Sequence, residues 1–123
     1  MPYGSLFGSR PDLTNYGVIG FGRLTTPETW LSTWSGLSTR ADFLRCAPGV
    51  RIPALLVELT GDQACFPDDA RAMASALGAD DVTHVRVRGK HFGAALTTGE
   101  PTGASLAGER IGHWLHTRYD QQT

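Results

Sequence analysis

A nearly continuous apolar run in the middle of the chain is the clearest signal of an element. Residues 52–59 read Ile-Pro-Ala-Leu-Leu-Val-Glu-Leu. This length and composition are typical of a strand buried on both faces of a parallel sheet. Pro53 lies at its start, where a proline is tolerated. A second run, residues 82–87, alternates in part and ends before Gly89, which predicts a second strand.

Apolar positions with helical spacing lie between and after these strands. Pro67 is predicted to open a helix with two acidic residues in its first turn, and Gly78 to end it. A last helix is predicted to bury a stripe made of Leu106, Ala107, Ile111, Trp114 and Leu115. The order strand, helix, strand, helix indicates an α/β fold with parallel pairing and a right-handed crossover.

The first 50 residues have a different texture and are predicted to form a separate segment from residues 51–123. Glycines and prolines make residues 1–22 mostly loop. A short helix is predicted over Pro27 to Ser35, capped by Thr25 or Thr26, with Trp30, Leu31 and Trp34 on one face. A second short helix is predicted before Pro48, capped by Ser38 or Thr39.

Composition narrows the classes of function. The chain has 123 residues, enough for one modest core, and 11 basic against 12 acidic residues without a basic cluster. Nucleic acid is therefore not an expected partner. Two cysteines are too few for a disulfide framework. No apolar run reaches the roughly 20 residues that span a bilayer. The N-terminus also lacks the pattern of a signal peptide. We expect a cytoplasmic protein that does not enter a membrane.

Two chemically versatile side chains follow the two predicted strands. Asp62 comes just after the first strand and His91 just after the second. Parallel strands place their carboxyl ends at one edge of the sheet, where α/β proteins build their sites. A carboxylate that meets an imidazole fixes its tautomer and stabilises its protonated form, as a general base requires. The alternatives are that Asp62 only accepts hydrogen bonds from turn amides and that His91 is a solvated loop residue.

These segments resemble a known family. The run IPALLVELTGDQACFPDDARAMASAL followed by VTHVRVRGKHFG is similar to the C-terminal part of an α/β-hydrolase, and residues 15–17 and 30–35 resemble the lid and connecting region of bacterial esterase-like members. The resemblance implies a partial α/β-hydrolase core with parallel strands and flanking helices, preceded by a loop-rich lid-like segment. It implies that Asp62 is the acid and His91 the base of a catalytic triad, and it implies no metal or organic cofactor.

The chain departs from this family at the nucleophile. Members carry a serine in a G-x-S-x-G elbow that precedes the acid and the base, and no such pentapeptide occurs here. Gly103-Ala104-Ser105-Leu106-Ala107 comes closest, but it follows the histidine and no strand precedes it, so Ser105 is predicted to start a helix. Cys65 is a possible substitute nucleophile, although a small buried cysteine is the commoner role.

Two other groups of residues have a functional and a structural interpretation. Glu109, His113 and His116 share one helical face at a spacing that a metal can use, or they are solvated. Trp30 and Trp34 are predicted either to line a pocket for the acyl group of a substrate or to pack as ordinary aromatic residues on one face of a short helix.

The sequence thus predicts a hydrolase chain of the carboxylic-ester type that is inactive by itself, with a small ester as substrate when a nucleophile is supplied. The alternatives are a noncatalytic binding or regulatory module that self-associates, as in a homodimer, and the C-terminal piece of a split hydrolase that joins an N-terminal half. Paired strand edges are the physical basis of both.

Overall fold

The structure, a computed structural model, describes residues 25–119. It falls into two compact units, with the boundary between Asp42 and Phe43. The predicted lid residues Asn15, Tyr16 and Gly17 lie outside the described part of the chain.

The described part of the first unit is a short helix and the turns that follow it. Helix α1 spans Pro27–Trp34, one residue less than predicted, because Ser35 adopts an extended backbone. Thr26 caps it, since its hydroxyl oxygen accepts the backbone N–H of Thr29 at 3.1 Å. Pro27 occupies the first helical position, where its missing N–H costs nothing.

The second unit has the predicted order of elements. Helix α2 spans Phe43–Cys46 and a 3₁₀ turn follows over Ala47–Gly49; strand β1 spans Ala54–Gly61, helix α3 Pro67–Ala76, strand β2 Val82–Lys90 and helix α4 Gly103–Tyr119. Helix α2 begins four residues after Thr39, so the prediction that Ser38 or Thr39 caps it is wrong. Both strands end later along the chain than their apolar runs suggest.

Strands β1 and β2 pair in parallel, and they form the whole sheet within residues 25–119. Helix α3 makes the crossover between them and packs against both strands. Helix α4 also packs against both, and its Trp114 Nε1 donates a hydrogen bond to Thr83 Oγ1 at 3.1 Å. The general α/β class is therefore confirmed. No helix in the described residues has the length and apolar character to cross a bilayer.

The buried core of this unit is small. Ala47, Ala70 and Val87 are its buried apolar residues, and no large side chain in the described residues is fully buried. The stripe predicted on α4 is covered only in part, since Ile111 and Leu115 are 42% and 44% exposed. A sheet of two strands is too narrow to cover all of the apolar face of a 17-residue helix.

Candidate functional site

Asp62 lies in the turn that follows β1, and its carboxylate organises that turn. Oδ1 accepts the backbone N–H groups of Ala64 at 2.7 Å and of Cys65 at 3.1 Å, while the N–H of Asp62 itself donates to the carbonyl of Leu59 at 3.0 Å. The predicted hydrogen bonds from turn amides to Asp62 are therefore present, but they are not its only contacts. They do not exclude the pairing with an imidazole, because a carboxylate has lone pairs for further donors.

His91 lies in a tight turn at the end of β2. The N–H of Gly93 donates to the carbonyl of Lys90 at 2.7 Å, and the N–H of Lys90 donates to the carbonyl of Ala94 at 2.9 Å. Gly93 has φ of 77°, in the left-handed region where a side chain is disfavoured. This turn lifts the imidazole above the strand end, at the same edge of the sheet as Asp62.

The structure brings these two side chains together. Nδ1 of His91 lies 2.9 Å from Oδ1 and 3.0 Å from Oδ2 of Asp62. An ionised carboxylate only accepts hydrogen bonds, so Nδ1 is the donor and the neutral ring carries its lone pair on Nε2. Nε2 has no hydrogen-bond partner within residues 25–119. The Asp62 side chain is 11% exposed and that of His91 36%, so the carboxylate is shielded while the ring reaches solvent.

A register shift sets this contact. The strands pair with an offset of 28 residues from Ala54 with Val82 to Leu59 with Val87, whereas Gly61 pairs with Lys90, an offset of 29. Strand β2 therefore holds one extra residue near its end, a β-bulge. The same offset of 29 separates Asp62 from His91. Without the extra residue, Lys90 would stand opposite Asp62.

Two opposing effects act on the acidity of Asp62. Burial raises the pKa of its carboxyl group, because the charged form loses solvation. The hydrogen bonds from His91 and from the amides of Ala64 and Cys65, together with the charge of His91, lower the pKa and prevail. The net pKa is below the ordinary value, so the carboxylate stays ionised and able to hold the ring.

The ring of His91 also contacts Phe92. Their centroids are 4.6 Å apart with planes at 72°, an edge-to-face arrangement that favours one orientation of the imidazole. Phe92 is 72% exposed, so it is an apolar neighbour of the ring at the solvent boundary.

Neither substitute nucleophile has the required setting. Burial raises the pKa of the Cys65 thiol, and the carboxylates of Asp62, Asp69 and Glu58 raise it further, which disfavours the reactive thiolate. Ser105 lies in the first turn of α4, where its N–H donates to Thr102 Oγ1 at 3.1 Å, as predicted for a helix start. Among the described residues, no hydroxyl or thiol forms a hydrogen bond with His91.

The remaining candidates are the predicted metal face of α4 and the tryptophan pair of α1. His113 and His116 are exposed on α4, and no group of three His, Cys, Asp or Glu side chains that could hold a metal ion occurs in the part of the chain that the structure describes. Trp30 and Trp34 contact each other with ring centroids 6.0 Å apart and are 56% and 54% exposed. They form a surface pair on α1.

A second acid–histidine contact was not predicted from the sequence. Glu58 interrupts the apolar run of β1, and its side chain is only 4% exposed. Its Oε2 lies 3.0 Å from His84 Nε2 and its Oε1 accepts Arg86 Nε at 2.8 Å. A lone acid inside an apolar strand was the available signal, because a buried charge requires partners. Arg86 is the register partner of Glu58, so this ion pair joins the two strands directly across the sheet.

Comparison of the chain with models of protein families, with curated proteins and with solved structures found no match. The likeness to α/β-hydrolases therefore stays a prediction from the residues quoted above. The function proposed below is argued from the geometry of the Asp62–His91 pair.

Proposed function

We propose that this chain contributes the acid and the base of an acyl-transfer hydrolase, of the carboxylic-ester type. The observation that carries the proposal is the hydrogen bond from His91 Nδ1 to the Asp62 carboxylate, because it leaves the other ring nitrogen, Nε2, to act as the base. Asp62 orients the ring and stabilises the imidazolium that forms when Nε2 takes a proton. The His91 side chain is 36% exposed, which gives a substrate and a nucleophile access to the ring.

In this reaction Nε2 of His91 accepts the proton of a serine hydroxyl as its oxygen attacks the carbonyl carbon of an ester. The tetrahedral intermediate then expels the alkoxide, which takes the proton back from His91 and leaves as the alcohol. Water repeats both steps on the acyl-enzyme and releases the acid and the free serine. No metal and no organic cofactor is part of this scheme.

The serine and the oxyanion donors are assigned to a polypeptide segment outside this sequence. The chain contains no G-x-S-x-G elbow, Ser105 lies at a helix start and the pKa of Cys65 is raised. We therefore expect the chain by itself to be inactive, and we propose that it acts as the C-terminal piece of a hydrolase whose N-terminal half carries the elbow.

The test uses p-nitrophenyl butyrate as substrate. The chain alone should hydrolyse it no faster than its His91→Ala variant. The chain joined to the polypeptide encoded immediately upstream should turn it over, and Asp62→Asn or His91→Ala should lower kcat by about 10³- to 10⁴-fold. Glu109→Gln, an exposed change on α4, is the matched control. Turnover by the chain alone that is lost with His91→Ala would show that it holds a nucleophile, and an active joined protein indifferent to both substitutions would refute the assignment.

A second candidate function is a noncatalytic module that binds a partner or a second copy of itself. Its support is the small core together with large exposed apolar side chains in the second unit: Phe43, Leu44, Ile52, Phe66, Phe92, Ile111, Leu115 and Tyr119. Within the described residues, the outer edge of β1 pairs with no strand, and such an edge favours association.

Sedimentation over a hundredfold range of concentration tests the second candidate. Association of the chain with itself, unchanged by His91→Ala, supports the binding module. A stable monomer with native helix content contradicts every version that pairs strand edges.

A further inference from the structure

The end of β2 and the start of α4 touch through their backbones. A Cβ atom built on Gly89 would lie 2.7 Å from the Cα of Gly103, and one built on Gly103 would lie 2.7 Å from the Cα of Gly89. Distances this short do not occur between a real Cβ and another carbon, so a side chain at either position forces the two elements apart. The helix can approach the strand this closely because both residues are glycine.

This contact lies at the bulge that brings His91 opposite Asp62. Gly89 falls between Val87, the last residue with the regular offset, and Lys90, the first with the longer one. A bulge leaves a residue without its regular ladder bonds, so it needs support from a neighbouring element. The first residue of α4 supplies that support, since it packs directly on Gly89.

The turn that carries His91 is fixed to the same helix on its other side. The N–H of Ala104 donates to the carbonyl of Gly93 at 2.9 Å. A Cβ on Gly93 would lie 3.0 Å from that of Ala104, so this approach is also close. His91 thus sits in a short turn that α4 holds at both ends, two residues after Gly89 and two before Gly93.

We propose that Gly89 and Gly103 are positioning residues for His91, and that their backbone contact maintains the bulge that sets the imidazole against the Asp62 carboxylate. The importance of this role rests on the proposed function, but the position of the His91 ring against Asp62 is a property of the chain alone. It can be tested without a nucleophile and without turnover.

The test compares two substitutions on one helix. Gly103→Ala inserts a methyl group into the contact, whereas Gly108→Ala adds the same group where nothing lies within 4 Å. Nitrogen-15 spectra of His91, near neutral pH, report which ring nitrogen carries the proton. The wild-type chain and Gly108→Ala should show the proton on Nδ1, held by Asp62. Gly103→Ala should show the mixture of both tautomers that a solvated imidazole has.

The indole N–H signal of Trp114 shows whether α4 still packs on β2, because that group donates to Thr83 at the far end of the helix. If Gly103→Ala keeps this signal and also keeps the proton on Nδ1, the proposal is overturned. If Gly103→Ala loses the signal, Ala104→Pro decides, because it replaces the N–H that donates to Gly93 with a ring carbon against that carbonyl. With the Trp114 signal kept, a mixture of tautomers supports the proposal and a proton that stays on Nδ1 overturns it. Loss of folding in both variants also contradicts the proposal, because the contact would then support the fold and not the ring.

The same spectra separate this inference from the proposed function. A redistributed tautomer in Gly103→Ala supports the positioning role whether or not an ester is hydrolysed. If the joined protein is active and indifferent to His91→Ala, the proposed function fails while the positioning result stands.

Discussion

Gly61 pairs with Lys90, although the regular alignment of the two strands would pair it with Gly89. The extra residue in β2 moves every later side chain by one place relative to β1. It puts an imidazole opposite Asp62 where the regular alignment would put a lysine ammonium. A lysine there would neutralise the carboxylate but would supply no base near neutral pH, so the bulge determines which chemistry this edge of the sheet offers.

The stability of the chain should depend on pH through Asp62. The pKa of this carboxyl group is lower in the folded chain than in the unfolded one, so its contribution is fully present above the ordinary aspartate pKa of about 3.9. That contribution is lost as the pH falls through the lower folded-state value. Urea unfolding at pH 7 and pH 3 should show a smaller loss of stability on acidification for Asp62→Asn than for the wild-type chain. An identical loss in both proteins would contradict the hydrogen-bonding account.

Glu58 should contribute more to the free energy of unfolding than an exposed glutamate does. Its side chain is 4% exposed and holds His84 and Arg86 across the strand pair. Glu58→Gln replaces the carboxylate that contacts both partners and is expected to lower the free energy of unfolding by about 1–3 kcal/mol. Glu109→Gln, exposed on α4, should change it by less than about 0.5 kcal/mol. Equal effects in urea unfolding would show that the Glu58 pair is dispensable.

Cys65 should react slowly with alkylating reagents. Burial and three nearby carboxylates raise the pKa of its thiol, and the thiolate is the reactive form. In a Cys46→Ser background, iodoacetamide at pH 7.5 should modify Cys65 at least severalfold more slowly than it modifies a free peptide thiol. Asp62→Asn should speed the reaction, because it removes one of the carboxylate charges. Rapid alkylation would reopen Cys65 as a nucleophile.

The glycines of α4 should fall into two classes. Gly108 and Gly112 have open space where a methyl group would go, so an alanine at either position should stabilise the chain by about 0.5–1 kcal/mol through its helix preference. Gly103→Ala has the same preference and should nevertheless destabilise, because the methyl group meets the backbone of Gly89. Thermal unfolding of the three variants measures the sign. Stabilisation by all three would mean that the end of β2 moves away from the added methyl group at little cost, which contradicts the prediction.

Sequence patterns predicted the elements better than their alignment. Strand β1 is marked by its own apolar run, and helix α3 by the proline and acidic residues in its first turn. Because these signals lie within the elements themselves, both elements could be predicted from the sequence. That Asp62 and His91 lie at the same edge of the sheet also followed from the parallel strand ends. The register shift was not predictable, because Gly89 at the shift packs against Gly103, a residue separated from it by a loop.

The burial of individual side chains was also not predictable from local sequence patterns. Ile111 and Leu115 carry a helical apolar spacing, but their exposure depends on how many strands lie beneath α4. The role of Glu58 likewise depends on residues 26 and 28 positions further along the chain. Helical and strand periodicities report a preferred face and carry no information on what covers it.

The most direct test of the acid–base pair is the nitrogen-15 spectrum of His91 in the wild-type chain and in Asp62→Asn, recorded at the same pH near neutrality. With the carboxylate present, we predict that the neutral ring carries its proton on Nδ1, which leaves Nε2 as the base. Replacement by asparagine should redistribute the proton between the two nitrogens. Indistinguishable spectra from the two proteins would mean that Asp62 does not hold the ring, and the proposed role of both residues would be wrong.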